Sequence, residues 1–107
     1  MPARAKIKIV KTLPPMHPGE VLREEFLAPL KMSPGKLAKL CGVPRTRIER
    51  IAAEKLGISG DTAIRLARVL KTTPELWMNL QGRYEIRMAI AEAGAEVEKL
   101  PPFEAAA

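Results

Sequence analysis

The 107-residue sequence has few of the residues that mark secreted, membrane or metal-binding proteins. Cys41 is its single cysteine, so no disulfide can form within the chain, as is usual in a reducing cytosol. His17 is its single histidine, and no cysteine or carboxylate cluster accompanies it to make a metal site. No run of about 18 apolar residues occurs, and the basic N-terminal segment has no apolar stretch of signal-peptide length. We therefore predict a soluble cytoplasmic protein with no cofactor and no membrane contact.

Catalytic groupings are missing as well. The sequence shows no paired carboxylates, no Cys–His or Ser–His set and no glycine-rich phosphate loop. Cys41 falls on the inward face of a predicted helix, where we expect a small buried thiol and not a nucleophile. The chain is therefore predicted not to be an enzyme.

Positive charge is in excess and is unevenly distributed. Eighteen Lys and Arg stand against twelve Asp and Glu, which gives a formal net charge of +6. The same count gives +4 for residues 1–19 and +5 for residues 31–55, whereas residues 20–30 and 85–107 are net acidic. A basic surface favours an acidic partner such as nucleic acid. We therefore predict the phosphate-binding surface in the N-terminal arm and in residues 31–55.

Start and stop signals predict five helices and no sheet. Pro18 suits the first turn of helix one, His17 before it is expected to help cap that helix, and Pro29 is expected to close it. The other four helices have start residues of the usual kinds, namely Ser33, Pro44, Ser59 and Thr73. Each helix carries an apolar stripe at helical spacing, and Trp77 with Leu80, Tyr84 and Met88 is expected to be core. Arg65 and Arg68 on helix four are expected to point away from that core.

Helices two and three are short, and a tight turn at Gly42 joins them. This length and spacing are typical of a DNA-binding helix-turn-helix. At about 100° per residue, Thr46, Arg50 and Ala53 lie opposite the apolar face of helix three. Arg47 flanks that outward strip. Because an Arg fork can donate two hydrogen bonds to guanine in the major groove, Arg47 and Arg50 are the predicted base readers.

Other residues around helix three are predicted to complete the DNA contact. Thr46 can touch a thymine methyl group or a phosphate, and Arg45 is placed for the DNA backbone. Glu49 can accept from a cytosine amino group or pair with Arg45 four residues earlier. The alternative for such a charged strip is an ordinary solvated face. The full predicted DNA-binding set is Ser33, Lys36, Lys39, Arg45, Thr46, Arg47, Glu49 and Arg50.

A second apolar stripe begins late in helix five and lies about 200° round the helix from Tyr84. It consists of Ile86, Ile90, Ala93, Val97 and Leu100. One core cannot bury both faces, so this stripe is predicted to contact a symmetry mate or a different protein. Paired subunits would place two recognition helices about 34–36 Å apart on a partly palindromic site. The alternative is that Gly94 ends the helix and the tail folds back on its own domain.

Three segments are predicted along the chain. Residues 1–15 form a flexible basic arm, residues 16–93 the helix-turn-helix domain and residues 94–107 a C-terminal tail for dimer or partner contact. The arm can lie along phosphate or the minor groove, add an edge strand to a partner, or serve as a solubilising tail. The sequence does not choose between these.

Several motifs resemble one family. They are Met16–Leu27 with its His-Pro-Gly-Glu opening, Leu37-Ala38 with Cys41-Gly42-Val43, Gly57-Ile58-Ser59, Ala63–Ala67 and Leu76–Gln81. Together they cover about residues 16–88 and resemble the HigA (VapI) antitoxins, helix-turn-helix proteins of the XRE family. The resemblance implies a five-helix lambda-repressor-like fold and a homodimer that binds double-stranded operator DNA. It also implies autorepression and neutralisation of a small RelE-like toxin that cleaves mRNA.

The chain departs from that family pattern at three places. Pro34 stands where a polar residue such as Gln is usual, and Pro44 stands where a Ser or Thr cap is usual. Both are common phosphate-contact positions, and proline donates no hydrogen bond. This supports an alternative function, a protein-interaction module (antitoxin or adaptor) with little or no DNA binding, although Lys36 and Lys39 can supply compensating charge. Ala53-Glu54 replaces the frequent Asn-Gly, which predicts that helix three runs a turn longer.

Overall fold

A computed structural model describes residues 15–104, and they form five helices with no strand among them. Helix α1 has three consecutive parts, Pro18–Val21, the π-helical Leu22–Leu27 and Ala28–Leu30. The remaining helices are α2 (Pro34–Cys41), α3 (Arg45–Ala52), α4 (Gly60–Leu70) and α5 (Pro74–Glu98). The predicted all-α, five-helix order is confirmed.

Side-chain caps begin four of the five helices. The hydroxyls of Ser33, Ser59 and Thr73 each accept a hydrogen bond from the backbone N–H three residues later, at 3.1–3.2 Å. At α1 the cap is the imidazole, since Nδ1 of His17 accepts from the Gly19 N–H at 2.9 Å. Pro44 precedes α3 in an extended conformation and offers no side-chain cap. These contacts satisfy backbone donors that have no partner within the helix.

Helix α1 departs from regular α-helical geometry. Its middle part has π-type hydrogen bonds, and the Ala28 N–H bonds to the Arg23 carbonyl five residues back. In a regular α-helix, residues five apart point about 140° away from each other. The wider π turn brings Leu22 and Leu27 to the same side, and both are buried in the core. The helix ends at Leu30, one residue past Pro29, where Lys31 adopts a left-handed conformation.

One core joins all five helices. Trp77 is fully buried within it, and its ring lies 5.3 Å from that of Phe26 in α1. Its indole N–H donates to the hydroxyl of Thr72 at 2.8 Å, so the one polar atom of the ring is satisfied. Cys41 is buried too, and burial raises the pKa of its thiol, which keeps the thiol protonated and unreactive. The predicted core roles of Trp77 and Cys41 are confirmed.

Helix α3 is shorter than predicted. It ends at Ala52, and Glu54 takes a left-handed conformation with φ +63°. Arg23 from α1 explains the end, because its guanidinium donates to the Ala52 carbonyl and pairs with the Glu54 carboxylate at 3.1 Å. A cation at the last carbonyls stabilises a helix C-terminus. The expectation of an extra turn was wrong. The contact between Arg23 and the Ala52 carbonyl joins residues 29 positions apart, so no local sequence pattern indicates it.

Helix α5 is longer than the core it packs on. It passes through Gly94 without a break and ends at Glu98, so the fold-back alternative is wrong. The second apolar stripe stays uncovered: Ile86, Ile90, Val97 and Leu100 are each 57–67% exposed, and Ala93 is half-buried. The boundary predicted between residues 93 and 94 therefore lies inside a helix. The predicted arm falls almost wholly outside the described residues. Among residues 15–104, no helix is both long and apolar enough to cross a membrane.

Candidate nucleic-acid interface

The turn between α2 and α3 is built around one glycine. Gly42 has φ +69°, a conformation that residues with a Cβ rarely adopt. From this turn, the Val43 N–H bonds back to the Ala38 carbonyl at 3.0 Å. A cation from α4 also reaches it, since Nη1 of Arg65 donates to the Cys41 carbonyl at 2.9 Å. The turn thus has the tight, left-handed exit that a helix-turn-helix needs.

Helix α3 presents a polar face to solvent. Ile48 and Ile51 are fully buried beneath it, whereas Thr46 and Arg50 are exposed on the opposite side. The helix is only eight residues long, and the exposed Thr46 and Arg50 are four residues apart, so they lie about one turn from each other. An exposed strip of this size matches the part of a recognition helix that enters a major groove.

A cationic groove adjoins this face. It is lined by Ser33, Gly35, Lys36, Lys39, Leu40 and Arg45, and we call it the α2–α3 groove. Its three cations face solvent, as phosphate-binding side chains must. Sequence reasoning missed Gly35 and Leu40. Gly35 lies beside the Arg45 side chain, since a Cβ there would be in van der Waals contact with the Arg45 Nε atom at 3.4 Å.

Glu49 and Arg45 form an ion pair on the surface of α3. Arg45 Nε lies 2.8 Å from a Glu49 carboxylate oxygen, and both side chains remain largely exposed. The pairing interpretation of Glu49 is therefore confirmed for the protein without DNA. An exposed pair of this spacing contributes only about 0.3–0.5 kcal/mol, so it exchanges readily for a phosphate or base contact.

The two predicted base readers differ in their surroundings. The Arg50 side chain is exposed and makes no hydrogen bond or ion pair within residues 15–104, so its guanidinium is available to a ligand. Arg47 is instead 34% exposed, and its Nη1 lies 2.7 Å from Oδ2 of Asp61 in α4. Sequence reasoning missed Asp61, whose only local signal is its i, i+4 spacing to Arg65.

Asp61 lies between two arginines. Arg65 Nε donates to both of its carboxylate oxygens, at 3.0 and 3.1 Å. Hydrogen bonds from two guanidinium groups hold the pKa of the Asp61 carboxyl below its usual range, and the bond from Arg47 has a larger effect than the bond from Arg65. Arg65 lies outside the core as expected, with its side chain 41% exposed, and Asp61 and the Cys41 carbonyl hold it against the turn. The described residues contain no group of three or more His, Cys, Asp or Glu that could hold a metal ion.

Comparison with known proteins places these features in a family. The family model described as Helix-turn-helix matches residues 22–77. Virulence-associated protein I of Dichelobacter nodosus is 44% identical over 77 residues, which are 72% of this chain and 71% of that protein.

Solved structures agree with that match. The antitoxin HigA of Pseudomonas aeruginosa, solved with the higBA promoter, is 41% identical with a TM-score of 0.81, covering 84% of this chain and 99% of that one. The antitoxin GraA, solved in complex with its operator, is 39% identical with a TM-score of 0.81, covering 87% of this chain and 95% of that one. The chain therefore belongs to the XRE-type helix-turn-helix family, in the group of the HigA (VapI) antitoxins.

Proposed function

We propose that this protein is an antitoxin that represses its own operon by binding operator DNA as a dimer. The observation that supports the proposal most directly is that two regions of the surface are adjacent. One is the α2–α3 groove with its three cations, and the other is the exposed strip of α3 with the unpaired Arg50 side chain. The groove supplies phosphate contacts that set the register, and the strip supplies base contacts. The similar proteins solved with promoter or operator DNA carry the same fold.

The two prolines leave the cationic groove intact. Pro34 removes one backbone donor from the start of α2, yet Ser33 still caps that helix, and Lys36 and Lys39 remain exposed beside it. Arg45 directly follows Pro44 and lines the groove from the α3 side. Long cationic side chains reach phosphate without help from the backbone, so the groove retains its electrostatic attraction.

The proposal includes two protein partners. A second copy of the chain would cover the stripe of Ile86, Ile90, Ala93, Val97 and Leu100 on α5, which has no cover within residues 15–104. The other partner is a small RelE-like toxin that cleaves mRNA, encoded beside this gene. Its support is the likeness to proteins named as antitoxins. Co-purification of this chain with the neighbouring gene product tests that partner, and separate elution would remove it.

A mobility-shift titration on the DNA immediately upstream of the gene tests operator binding. Arg50→Ala is expected to weaken operator binding by about fivefold or more and to affect scrambled DNA less, because a base contact is lost. Lys39→Ala is expected to weaken both DNAs about equally and to lower the slope of log K against log salt by about 0.9. Arg83→Ala, which removes the same charge from an exposed position on α5, is the control and should retain near wild-type affinity.

The opposite results would remove DNA recognition from the proposal. Wild-type binding that ignores both salt concentration and DNA sequence would contradict the phosphate and base contacts. One observation favours the second candidate, a protein-interaction module without DNA binding: the starts of both α2 and α3 hold a proline that cannot donate. Co-purification with the neighbouring gene product in the absence of any shift would establish that candidate instead.

A further inference from the structure

Arg47 and Asp61 form the one side-chain hydrogen bond from α3 to α4 among residues 15–104. The Arg47 Nη1 and Asp61 Oδ2 atoms are 2.7 Å apart, although the residues are 14 positions apart in the chain. Arg47 flanks the exposed strip of α3, next to the positions that face away from the core. The pair thus joins a predicted base reader to a helix outside the helix-turn-helix.

Asp61 is itself held in place from its other side. Arg65, four residues later, donates to both carboxylate oxygens of Asp61 and to the Cys41 carbonyl at the end of α2. The carboxylate is therefore tied through Arg65 to the turn between α2 and α3. A group fixed to that turn can orient Arg47 relative to the recognition surface.

The pair has little value for stability alone. Arg47 is one-third exposed and Asp61 about one-half, and ion pairs in such positions contribute little to folding. A guanidinium has five N–H donors in a rigid plane, and Asp61 occupies only one of its nitrogens. The other edge of the plane stays available, in an orientation that the carboxylate restricts. A restricted fork loses less conformational entropy when it binds a base edge.

We propose that Asp61 is a positioning residue that orients the Arg47 guanidinium and thereby raises the discrimination between operator and other DNA. The inference rests on the proposed operator binding. Asp61 has a second, opposite effect, since its negative charge beside the strip lowers attraction to any phosphate backbone. Removing that charge strengthens binding to all DNA while discrimination falls, and this combination sets a positioning residue apart from an ordinary surface acid.

The test measures the ratio of dissociation constants for scrambled and upstream DNA, at two salt concentrations. Asp61→Asn keeps the size of the side chain and removes its charge. We expect it to tighten binding to scrambled DNA and to lower the ratio by about fivefold, the effect of losing one well-oriented bidentate contact. Glu75→Gln, at an exposed position in the first turn of α5, is the charge-matched control and should leave the ratio unchanged.

Two further variants show whether Asp61 acts through Arg47. In an Arg47→Ala background, Asp61→Asn should change both affinities by the same factor and leave the ratio as it is. Arg47→Lys keeps the charge and loses the planar fork, so it should lower the ratio as Asp61→Asn does. Thermal melting checks folding, and Asp61→Ala, which removes both the charge and the acceptor, provides the test if Asp61→Asn proves unstable.

Each outcome bears on a distinct claim. A wild-type protein that prefers upstream DNA, together with an unchanged ratio in Asp61→Asn or Arg47→Lys, overturns the positioning role and leaves operator binding standing. A fall in the ratio of the same size in the Arg47→Ala background also overturns it, because Asp61 then acts through another group. A wild-type protein with no preference for upstream DNA overturns operator binding and the positioning role together.

Discussion

Gly19 lies in the first turn of α1, pressed against the end of α3. A Cβ at this position would come within 1.8 Å of the Ile51 carbonyl oxygen, which is backbone and cannot move aside cheaply. The glycine of the His-Pro-Gly-Glu motif is therefore required by a close approach of two helices, and its conformation is ordinary helix. Arg23, one turn later, reaches the same end of α3. The contacts of Gly19 and Arg23 with the end of α3 together fix how α1 packs against this helix.

We predict that Gly19→Ala lowers the free energy of unfolding by about 2 kcal/mol or more, because α1 must shift away from α3. Urea unfolding followed by circular dichroism at one fixed protein concentration measures the change. Gly82→Ala is the matched control: it lies inside α5, where the new Cβ would meet no atom within 4 Å other than the backbone of its own helix and its chain neighbours, and it should raise stability by about 0.5–1 kcal/mol. Equal effects from the two substitutions would contradict the close-approach argument.

The beginning of α1 depends on an imidazole cap. Nδ1 of His17 accepts the Gly19 N–H, which requires that nitrogen to be unprotonated, and the ring meets Tyr84 edge-on at 4.8 Å between centroids. Burial lowers the pKa of His17 below the usual 6.5, partly opposed by the negative charge of Glu54. The sequence predicted that His17 helps to cap helix one, and this is confirmed.

The lowered pKa makes the stability of this helix start depend on pH. In the unfolded chain His17 binds a proton near pH 6.5, whereas in the folded protein it binds one only at lower pH. Protonation of His17 therefore favours unfolding. The contribution is present above about pH 6.5 and is lost as pH falls through the folded pKa. We expect the free energy of unfolding to decrease between about pH 7 and pH 5, and His17→Asn, which keeps a capping acceptor, to flatten that decrease. An equal slope in both proteins would show that another group titrates.

At the scale of the whole molecule, α5 extends past the core that it helps to build. Its first half carries Trp77 and buried Gln81, whose side chain accepts the Ile58 N–H at 2.7 Å. Its second half carries the exposed apolar stripe, which faces away from Trp77. A folded monomer leaves this stripe in water, at a cost that a second copy of the chain would remove. Two-fold pairing through it is the proposed route to two recognition helices on one side of the DNA.

Ile90→Asp is predicted to convert the dimer to a monomer and to weaken operator binding by tenfold or more (about 1.4 kcal/mol), because a desolvated carboxylate would oppose pairing. Light scattering after size exclusion measures the mass, and a mobility shift measures the affinity. Ile64→Asp is the control: Ile64 on α4 is 58% exposed, close to the 62% of Ile90, and lies outside the stripe. A wild-type monomer, or a dimer that survives Ile90→Asp, would contradict pairing through α5.

Most of the fold could be predicted because its signals are local. The caps at Ser33, Ser59 and Thr73 act over three residues, and apolar stripes repeat over one or two turns. The irregularities could not be predicted in the same way. The π-helical part of α1 depends on two leucines meeting a shared core, and the end of α3 depends on Arg23 from a distant helix. The groove cations and Arg50 were predicted as DNA contacts and stay a prediction until binding is measured.

The amino-acid order alone was enough to indicate where each helix begins, which face is apolar and where positive charge concentrates, since those properties depend on neighbours a few positions away. Tertiary packing determined which charged side chains form ion pairs. Arg47 and Arg50 were both predicted to read bases, yet only Arg47 meets Asp61, because α4 lies beside the flank of α3 that carries Arg47. Contacts between residues far apart in the chain depend on how the helices pack against one another, and a local sequence pattern does not predict that packing.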